Sequence, residues 1–386
     1  MTELPFKPPV WVARPPALQT MLADLMAQPR VAVDTESNSL FAYREQVCLI
    51  QFSTPLADYL VDPLAMRDLS TLGELFAHPG IEKIFHAAEY DLICLKRDFD
   101  FQFNTIFDTM QAARILGRTD IGLAGMLNAT FGIELEKRYQ RANWGERPLT
   151  PAMLAYARLD THYLIDLRDL LEAELIEKDL LHLAHEDFEH LTRVQANHNG
   201  NQPASCWRMV GKHDLTHRQC AILQALIDMR EQLAQKANQP PFKILANQAL
   251  IDIALASPKN YEELSQAEIL NPRLLSRYSA AILHAVQRGM VNPPPPKPVS
   301  TRPEDAVLER IDALKNWRKL TARELEVESD IVLPRDLLEA IAFRNPTGMD
   351  ELRSLMDAFP WRYQRFGSQI LTIIQPKEKK ANENTL

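Results

Sequence analysis

Four acidic residues carry the chemistry this chain can offer. Asp34 and Glu36 lie in Arg30-Val-Ala-Val-Asp-Thr-Glu-Ser37, Asp91 closes His86-Ala-Ala-Glu-Tyr-Asp91, and Asp160 closes Tyr156-Ala-Arg-Leu-Asp160. Each has apolar neighbours, among which a lone carboxylate is costly to bury unless it is paired or holds a cation. Brought together, the four make an oxygen-rich cage for two hard divalent cations, the equipment for cutting a phosphodiester with water.

The elements that must position them are legible nearby. Asp34 and Glu36 are two apart on a predicted strand, so both side chains leave one face while Val31 and Val33 leave the other, toward a core. Adjacent carboxylates repel unless a cation sits between them, although Asp-x-Glu alone also fits a strand end with solvated acids. Asp91 falls in the first turn of a helix after the strand at 81–85, at the sheet edge where open α/β sheets bind ligands. A helix N-terminus also favours an acid for its charge alone. Thr150 and Pro151 open a further helix, on which Tyr156 and Asp160 are four apart and share a face. Asp166 and Asp169 on that helix read as solvated.

Short β-branched and apolar runs at 30–34, 47–53 and 57–62 predict an antiparallel meander. The strand at 81–85, after a helical stretch at 68–77, predicts a crossover. Helices are expected at 88–97, 109–116, 123–131 and from 151 to about 183. A polar break at 197–203 and the proline run at 292–298 read as a boundary and an extended spacer. Around that spacer lies an internal repeat at a fixed offset of 88: Leu226/Leu314, Arg230/Arg318, Ala234/Ala322, Leu250/Leu338, Ile253/Ile341, Pro258/Pro346, Pro272/Pro360 and Ile282/Ile370. Neither copy carries strand signals, so each reads as a small helical bundle. The expected divisions are 1–197, 205–291 and 299–376, with a charged tail at 377–386.

At 386 residues, 46% hydrophobic and 24% charged, the chain reads as globular with two or three domains. A net charge of −8 argues against coating nucleic acid through bulk electrostatics but not against a nuclease whose carboxylates are offset by metal. No apolar run approaches the roughly 20 residues of a membrane span, and the N-terminus lacks a signal pattern. Cys48, Cys94, Cys206 and Cys220 form no metal-ligand spacing and fit buried thiols in a reducing compartment, so the cytoplasm is expected.

Lys137, Arg138, Arg141 and Arg147, interleaved with Tyr139 and Trp144, match the mixture that holds single strands by neutralising phosphates and stacking bases. A solvated face with Trp144 as a core anchor fits the same pattern. His86 reads either as a contact to a terminal nucleotide or as a buried, hydrogen-bonded histidine. Arg230 and Arg318 recur in the repeat, for RNA contact or for bundle architecture.

Together the three acidic motifs resemble the DEDD 3′→5′ exonucleases, in the subgroup with tyrosine four before the last aspartate. Asn143-Trp-Gly-Glu-Arg-Pro-Leu149 is similar to the segment that precedes the third motif in the ribonuclease D family, and the repeated bundles resemble the HRDC nucleic-acid-binding module. The resemblance implies a ribonuclease H-like α/β exonuclease domain, with a mixed sheet and helices, followed by two small all-α HRDC bundles. It also implies two Mg²⁺ or Mn²⁺ ions, one held by Asp34, Glu36 and Asp160 and a second bridged by Asp34 and supported by Asp91. Tyr156 would orient the attacking water. The implied activity is trimming of the free 3′ end of structured RNAs such as transfer-RNA precursors, releasing 5′-mononucleotides, with no membrane and no obligatory protein partner. A DNA exonuclease and a non-catalytic RNA-binding scaffold are the alternatives.

Overall fold

The computed structural model describes residues 7–66, 68–196, 205–210, 215–297 and 302–375. The expected break at 197–203 and the tail at 377–386 lie outside the described residues. One six-stranded mixed sheet organises the first half, with strands β1 (Val10–Val12), β2 (Arg30–Ser37), β3 (Val47–Ser53), β4 (Asp58–Val61), β5 (Glu82–Phe85) and β6 (Ile106–Asp108) in the order β1-β4-β3-β2-β5-β6. The expected meander is present: β2, β3 and β4 pair antiparallel in succession. The crossover is present too, since β5 pairs parallel with β2 and β6 parallel with β5. β1 and β6 went unanticipated because three residues leave too little alternation to register.

The helices of this half are α1 (Pro15–Met26), α2 (Leu72–Ala77), α3 (Glu89–Phe99), α4 (Thr109–Ile115), α5 (Leu123–Phe131), α6 (Pro151–His162), α7 (Leu164–Glu177) and α8 (Leu181–Thr192). The single helix expected from 151 to about 183 is therefore three. The first break is at Tyr163, whose backbone sits at φ −99°, ψ 0°. The second is at Asp179, which turns into the left-handed region at φ 56°. Neither break carries a glycine or proline, so a continuous apolar pattern masks both.

α6 is locked to the sheet through a buried carboxylate. Asp58, at the start of β4, accepts from Ser53 Oγ at 2.7 Å, Arg158 Nε at 2.6 Å and His162 Nδ1 at 2.9 Å. Thr161 adds a hydroxyl contact to Ser53 at 2.7 Å. Burial opposes ionisation of Asp58, yet the bonds from His162 and Ser53 and the charge of Arg158 hold it below the ordinary carboxylate range.

The repeat is structural as well as sequential. Helices Pro241–Ile244 and Asn247–Ala256 of the first bundle recur as Ser329–Val332 and Arg335–Arg344 of the second. Left-handed residues recur with them, Asn238 with Glu326 and Ser257 with Asn345. Arg230 Nη1 donates to Leu245 O at 3.0 Å, and Arg318 Nη1 to Leu333 O at 2.9 Å. Those paired arginines thus clasp their own bundles. Each bundle has its own apolar core. The proline segment is irregular from 293 to 297, and Trp207 Nε1 donates to Pro295 O at 3.2 Å. All four cysteines are buried and free.

The second bundle is docked on the first half through Arg362, whose side chain is fully buried. It donates to Glu186 Oε2 at 2.9 Å, Asp187 Oδ1 at 2.7 Å and Ile331 O at 2.8 Å, and the Trp361 amide also donates to Glu186. Burial nevertheless pushes both Glu186 and Asp187 upward, against the pull of Arg362. Such a pair adds little over apolar packing but is expensive to break. Arg362→Ala should therefore destabilise the docked bundle by about 3 kcal/mol, read as a lower midpoint in chemical denaturation; a loss below about 1 kcal/mol would contradict the buried clasp.

Candidate active site

β2 carries Asp34 and Glu36 to its C-terminal end beyond the fully buried Val31, Ala32 and Val33. Asp160 arrives on α6. One oxygen each of Asp34, Glu36 and Asp160 lies within 4.8 Å of the others, the arrangement of a cation site. Asp91 stands just outside that group, in the first turn of α3, where its Oδ1 accepts a short hydrogen bond from Thr35 Oγ1. Tyr156 lies one turn before Asp160 on α6 and lines the same cleft of about 530 Å³ with Asp34, Glu36, Asp160 and His86.

The electrostatics match a crowd of acids awaiting positive charge. Burial is the largest influence on every one of the four carboxyls. Burial and the neighbouring Asp91, Asp160 and Glu36 raise Asp34 well above its ordinary value. Glu36 is raised to about 9 by burial with Asp160 and Asp91. Asp91 is raised to about 7 by burial and Asp108, with Thr35 opposing. Asp160 is raised to about 8 by burial and Asp91, with the Tyr156 hydroxyl opposing. Burial and the carboxylates of Asp160, Glu36 and Asp34 hold the Tyr156 phenol far above neutrality, so it keeps its proton and donates a hydrogen bond to Asp160.

Several positioning residues escaped the sequence reading. Gln51, opposite Asp34 on β3, is fully buried and donates to Asp34 Oδ2 at 3.4 Å. Asp108 is buried at the start of α4. It accepts from Ala88 N at 2.8 Å, Ala87 N at 3.1 Å, Met110 N at 2.8 Å and Gln111 N at 3.1 Å. It thereby fixes the turn through Ala87, left-handed at φ 64°, that launches α3 and Asp91. Its N-cap position before Thr109 was the available signal. Asp120 and Glu136 add two further carboxylates to the cleft wall.

The expected RNA contacts divide. His86 lines the cleft while its Nδ1 bonds Thr109 Oγ1 at 2.9 Å, and burial lowers it to about 4, leaving the ring neutral. Lys137, Arg138 and Arg141 lie on one short 3₁₀ turn. Arg138 and Arg141 are exposed, and the Arg138 guanidinium lies 4.7 Å from the Tyr139 ring centre. Trp144 does not offer a stacking face. It is 1% exposed, and its ring centre lies 6.1 Å from that of Tyr156, which also has Tyr139 at 5.8 Å. Arg147 is also engaged, by Asp62 at 2.7 Å and 2.8 Å and by Cys48 O at 2.7 Å. Trp144 buttresses Tyr156 and Arg147 ties the loop to the sheet. Alternating basic and aromatic letters cannot separate such anchors from a nucleic-acid face.

Comparison with known proteins follows the same outline. The family description "3′-5′ exonuclease" matches residues 9–176, and the HRDC domain matches 219–286 and 307–374. The exosome complex exonuclease RRP6 of Saccharomyces cerevisiae is 33% identical over 265 residues, covering 65% of this chain and 36% of that protein. Ribonuclease D of Jannaschia sp. is 29% identical over 367 residues, covering 92% of this chain and 93% of that protein. In fold, the chain is similar to Escherichia coli RNase D, at 22% identity and a TM-score of 0.67, across 96% of this chain and 99% of that one. The chain thus spans about a third of the exosome exonuclease and nearly all of the ribonuclease D relative.

Fold and family matches define a DEDD 3′→5′ exonuclease domain with HRDC domains appended, a family dependent on divalent metal, and the chain belongs to it. Its match to ribonuclease D runs nearly end to end in both chains, and it is a 3′→5′ exoribonuclease. Among the described residues, no helix is long and apolar enough to cross a membrane.

The raised carboxyls set a pH dependence. An acid whose folded pKa exceeds its unfolded value contributes stability that is present at low pH and lost as pH rises through the folded value. For Glu36, Asp160 and Asp91 that loss extends up to about 9, 8 and 7. Metal-free protein should therefore melt several degrees lower at pH 9 than at pH 6, and added Mg²⁺ should remove most of the difference. Equal melting profiles in chelator at both values would contradict the crowding of these acids.

Proposed function

We propose that Asp34, Glu36, Asp91 and Asp160 are the metal-holding acids and Tyr156 the water-orienting donor of a hydrolytic site acting on RNA with a free 3′ end. The observation that carries this reading is the meeting of Asp34, Glu36 and Asp160 oxygens within 4.8 Å, with Tyr156 beside them on the same cleft and buried Asp91 bonded to Thr35 between Asp34 and Glu36. An all-carboxylate donor set suits Mg²⁺ or Mn²⁺ over softer ions. Two such cations, when bound, would supply positive charge at the attacking water and at the departing 3′-oxygen.

The chain's own groups do the remaining work. Asp34 feels the charge of Asp91, Asp160 and Glu36 together, so it would share in holding either ion. Tyr156 keeps its proton and can direct a lone pair of water toward the scissile phosphorus. His86, neutral and with Nδ1 engaged by Thr109, has Nε2 left for the terminal nucleotide. Arg138 and Arg141 are the basic side chains we assign to the strand, with Lys137 on the same turn. Structured RNAs are the substrate class, with transfer-RNA precursors as the specific candidates, and the cytoplasm is the expected compartment. The domain limits at 1–197, 205–291 and 299–376 belong to this reading, supported by one apolar core within each bundle.

Purified protein, a 5′-labelled RNA with a single-stranded 3′ extension and a matched DNA test the assignment. We expect a metal-dependent ladder shortened one nucleotide at a time on RNA, abolished by chelator and by Asp34→Asn. Near-normal turnover in Asp34→Asn would remove the acids from catalysis, and preferential digestion of DNA would overturn the substrate class. Tyr156→Phe keeps the ring between Trp144 and Tyr139, so single-turnover cleavage should slow about a hundredfold with RNA affinity little changed; an unaltered rate would take the hydroxyl out of the chemistry.

A further inference from the structure

The two HRDC repeats present the same turn to the exonuclease domain with opposite chemistry. In the second repeat the turn carries Glu324, Glu326, Glu328 and Asp330, followed by Ile331. Glu328 and Asp330 pair with Arg114 of α4 at 2.7 Å and 2.8 Å, and Ile331 is buried in the exonuclease core. Glu326 O comes so near Gly117 that a Cβ there would lie 3.0 Å from it. That turn is consumed by docking. The corresponding positions of the first repeat are Lys236, Asn238, Pro240, Phe242 and Lys243, with two cations and no acid. Phe242 is 54% exposed and both lysines are exposed.

This first-repeat turn meets the loop that leaves the catalytic strand. Tyr43 N donates to Asn238 Oδ1 at 3.3 Å, and Lys243 Nζ stands 4.1 Å from the Phe41 ring centre. The Tyr43 phenol faces Glu231, the nearby acid of the bundle, and that carboxylate is thereby engaged. At its other end the loop is pinned beside the site. Glu45 accepts from Ser37 Oγ at 2.7 Å, from Arg97 Nη1 at 2.9 Å and from the Tyr90 hydroxyl. Ser37 directly follows Glu36, and Tyr90, 52% exposed, directly precedes Asp91. Among the described residues no carboxylate pairs with Arg44, Lys236 or Lys243.

We propose that Tyr90, Phe41 and Arg44 of the exonuclease domain and Lys236, Phe242 and Lys243 of the first repeat form one surface that carries the single-stranded RNA upstream of the 3′ end. The second repeat's turn is a brace and takes no RNA. Exposed Tyr90 and Phe242 with half-buried Phe41, set among cations that no carboxylate neutralises, suit a strand that stacks bases and neutralises phosphates without reading sequence. On a chain of net charge −8, such a local positive strip supplies attraction that the bulk field does not. This inference rests on the exoribonuclease reading for the identity of the strand.

The test compares 12-nucleotide and 3-nucleotide unstructured RNAs in the full chain. In Phe242→Ala/Lys243→Gln the ratio of kcat/KM for the long over the short RNA should fall at least fivefold, through KM. In anisotropy the salt slope of binding to the 12-mer should drop by about 0.7, the share of one lost cation on a single strand. Because both side chains are exposed, an unchanged melting temperature is expected to accompany these effects. An unaltered ratio and salt slope would overturn the surface, and an equal fall in Asp330→Asn would overturn the division between repeats. Wild-type protein that digests neither RNA would refute the exoribonuclease reading separately, and anisotropy on the 12-mer would still decide whether this surface binds it.

Discussion

Repulsion among buried carboxylates is the constraint on which the exonuclease domain turns. Left to itself, a chain would spread Asp34, Glu36, Asp91 and Asp160 apart or protonate them, and their raised pKa values register burial first, with neighbouring carboxylates adding to it. Holding them within reach of one another requires each supporting element to be fixed from outside the site. β2 is flanked by β3 and β5, with Gln51 set against Asp34. α6 is fixed by Arg158, Thr161 and His162, which bracket Asp160 and converge on Asp58 and Ser53. α3 is launched by Asp108, which gathers four backbone amides. Acids well supplied with donors hold in place acids that have few.

That arrangement explains why the supporting contacts are polar in so apolar a setting. Asp58 and Asp108 are both buried, yet one is supplied with donors on three side chains and the other with four amides, which is the condition for burying a carboxylate at tolerable cost. The site acids have fewer donors and more acidic neighbours. The contrast divides structural acids from the candidate metal-holding ones by what surrounds them, independent of any motif. Beyond the site, the second HRDC repeat is anchored by Arg362 and Arg114, whereas the first meets the loop beside β2 mainly through Tyr43, Asn238 and Lys243. A duplicated module has kept its fold and parted in its surface.

Much of this was legible in the sequence, and the limits are physical. Alternation placed Asp34 and Glu36 on one face because a strand has period two. The offset of 88 between Leu226 and Leu314 reappears in helix limits, in left-handed residues and in the Arg230 and Arg318 clasps, since a repeat of that length constrains every local choice. What escaped depends on contacts distant in sequence. Asp58 reaches residues about a hundred positions away, and no local pattern marks it. Trp144 and Arg147 fitted a nucleic-acid grip and a face with Trp144 as core anchor equally well, because composition cannot report burial. The breaks at Tyr163 and Asp179 were hidden because neither uses glycine or proline.

Crystals soaked in Mn²⁺ and measured at the manganese absorption edge address the central claim most directly. The account predicts two anomalous peaks, one among Asp34, Glu36 and Asp160 and a second between Asp34 and Asp91. Manganese bound elsewhere, with no peak within ligand distance of Asp34 in an otherwise intact fold, would contradict it.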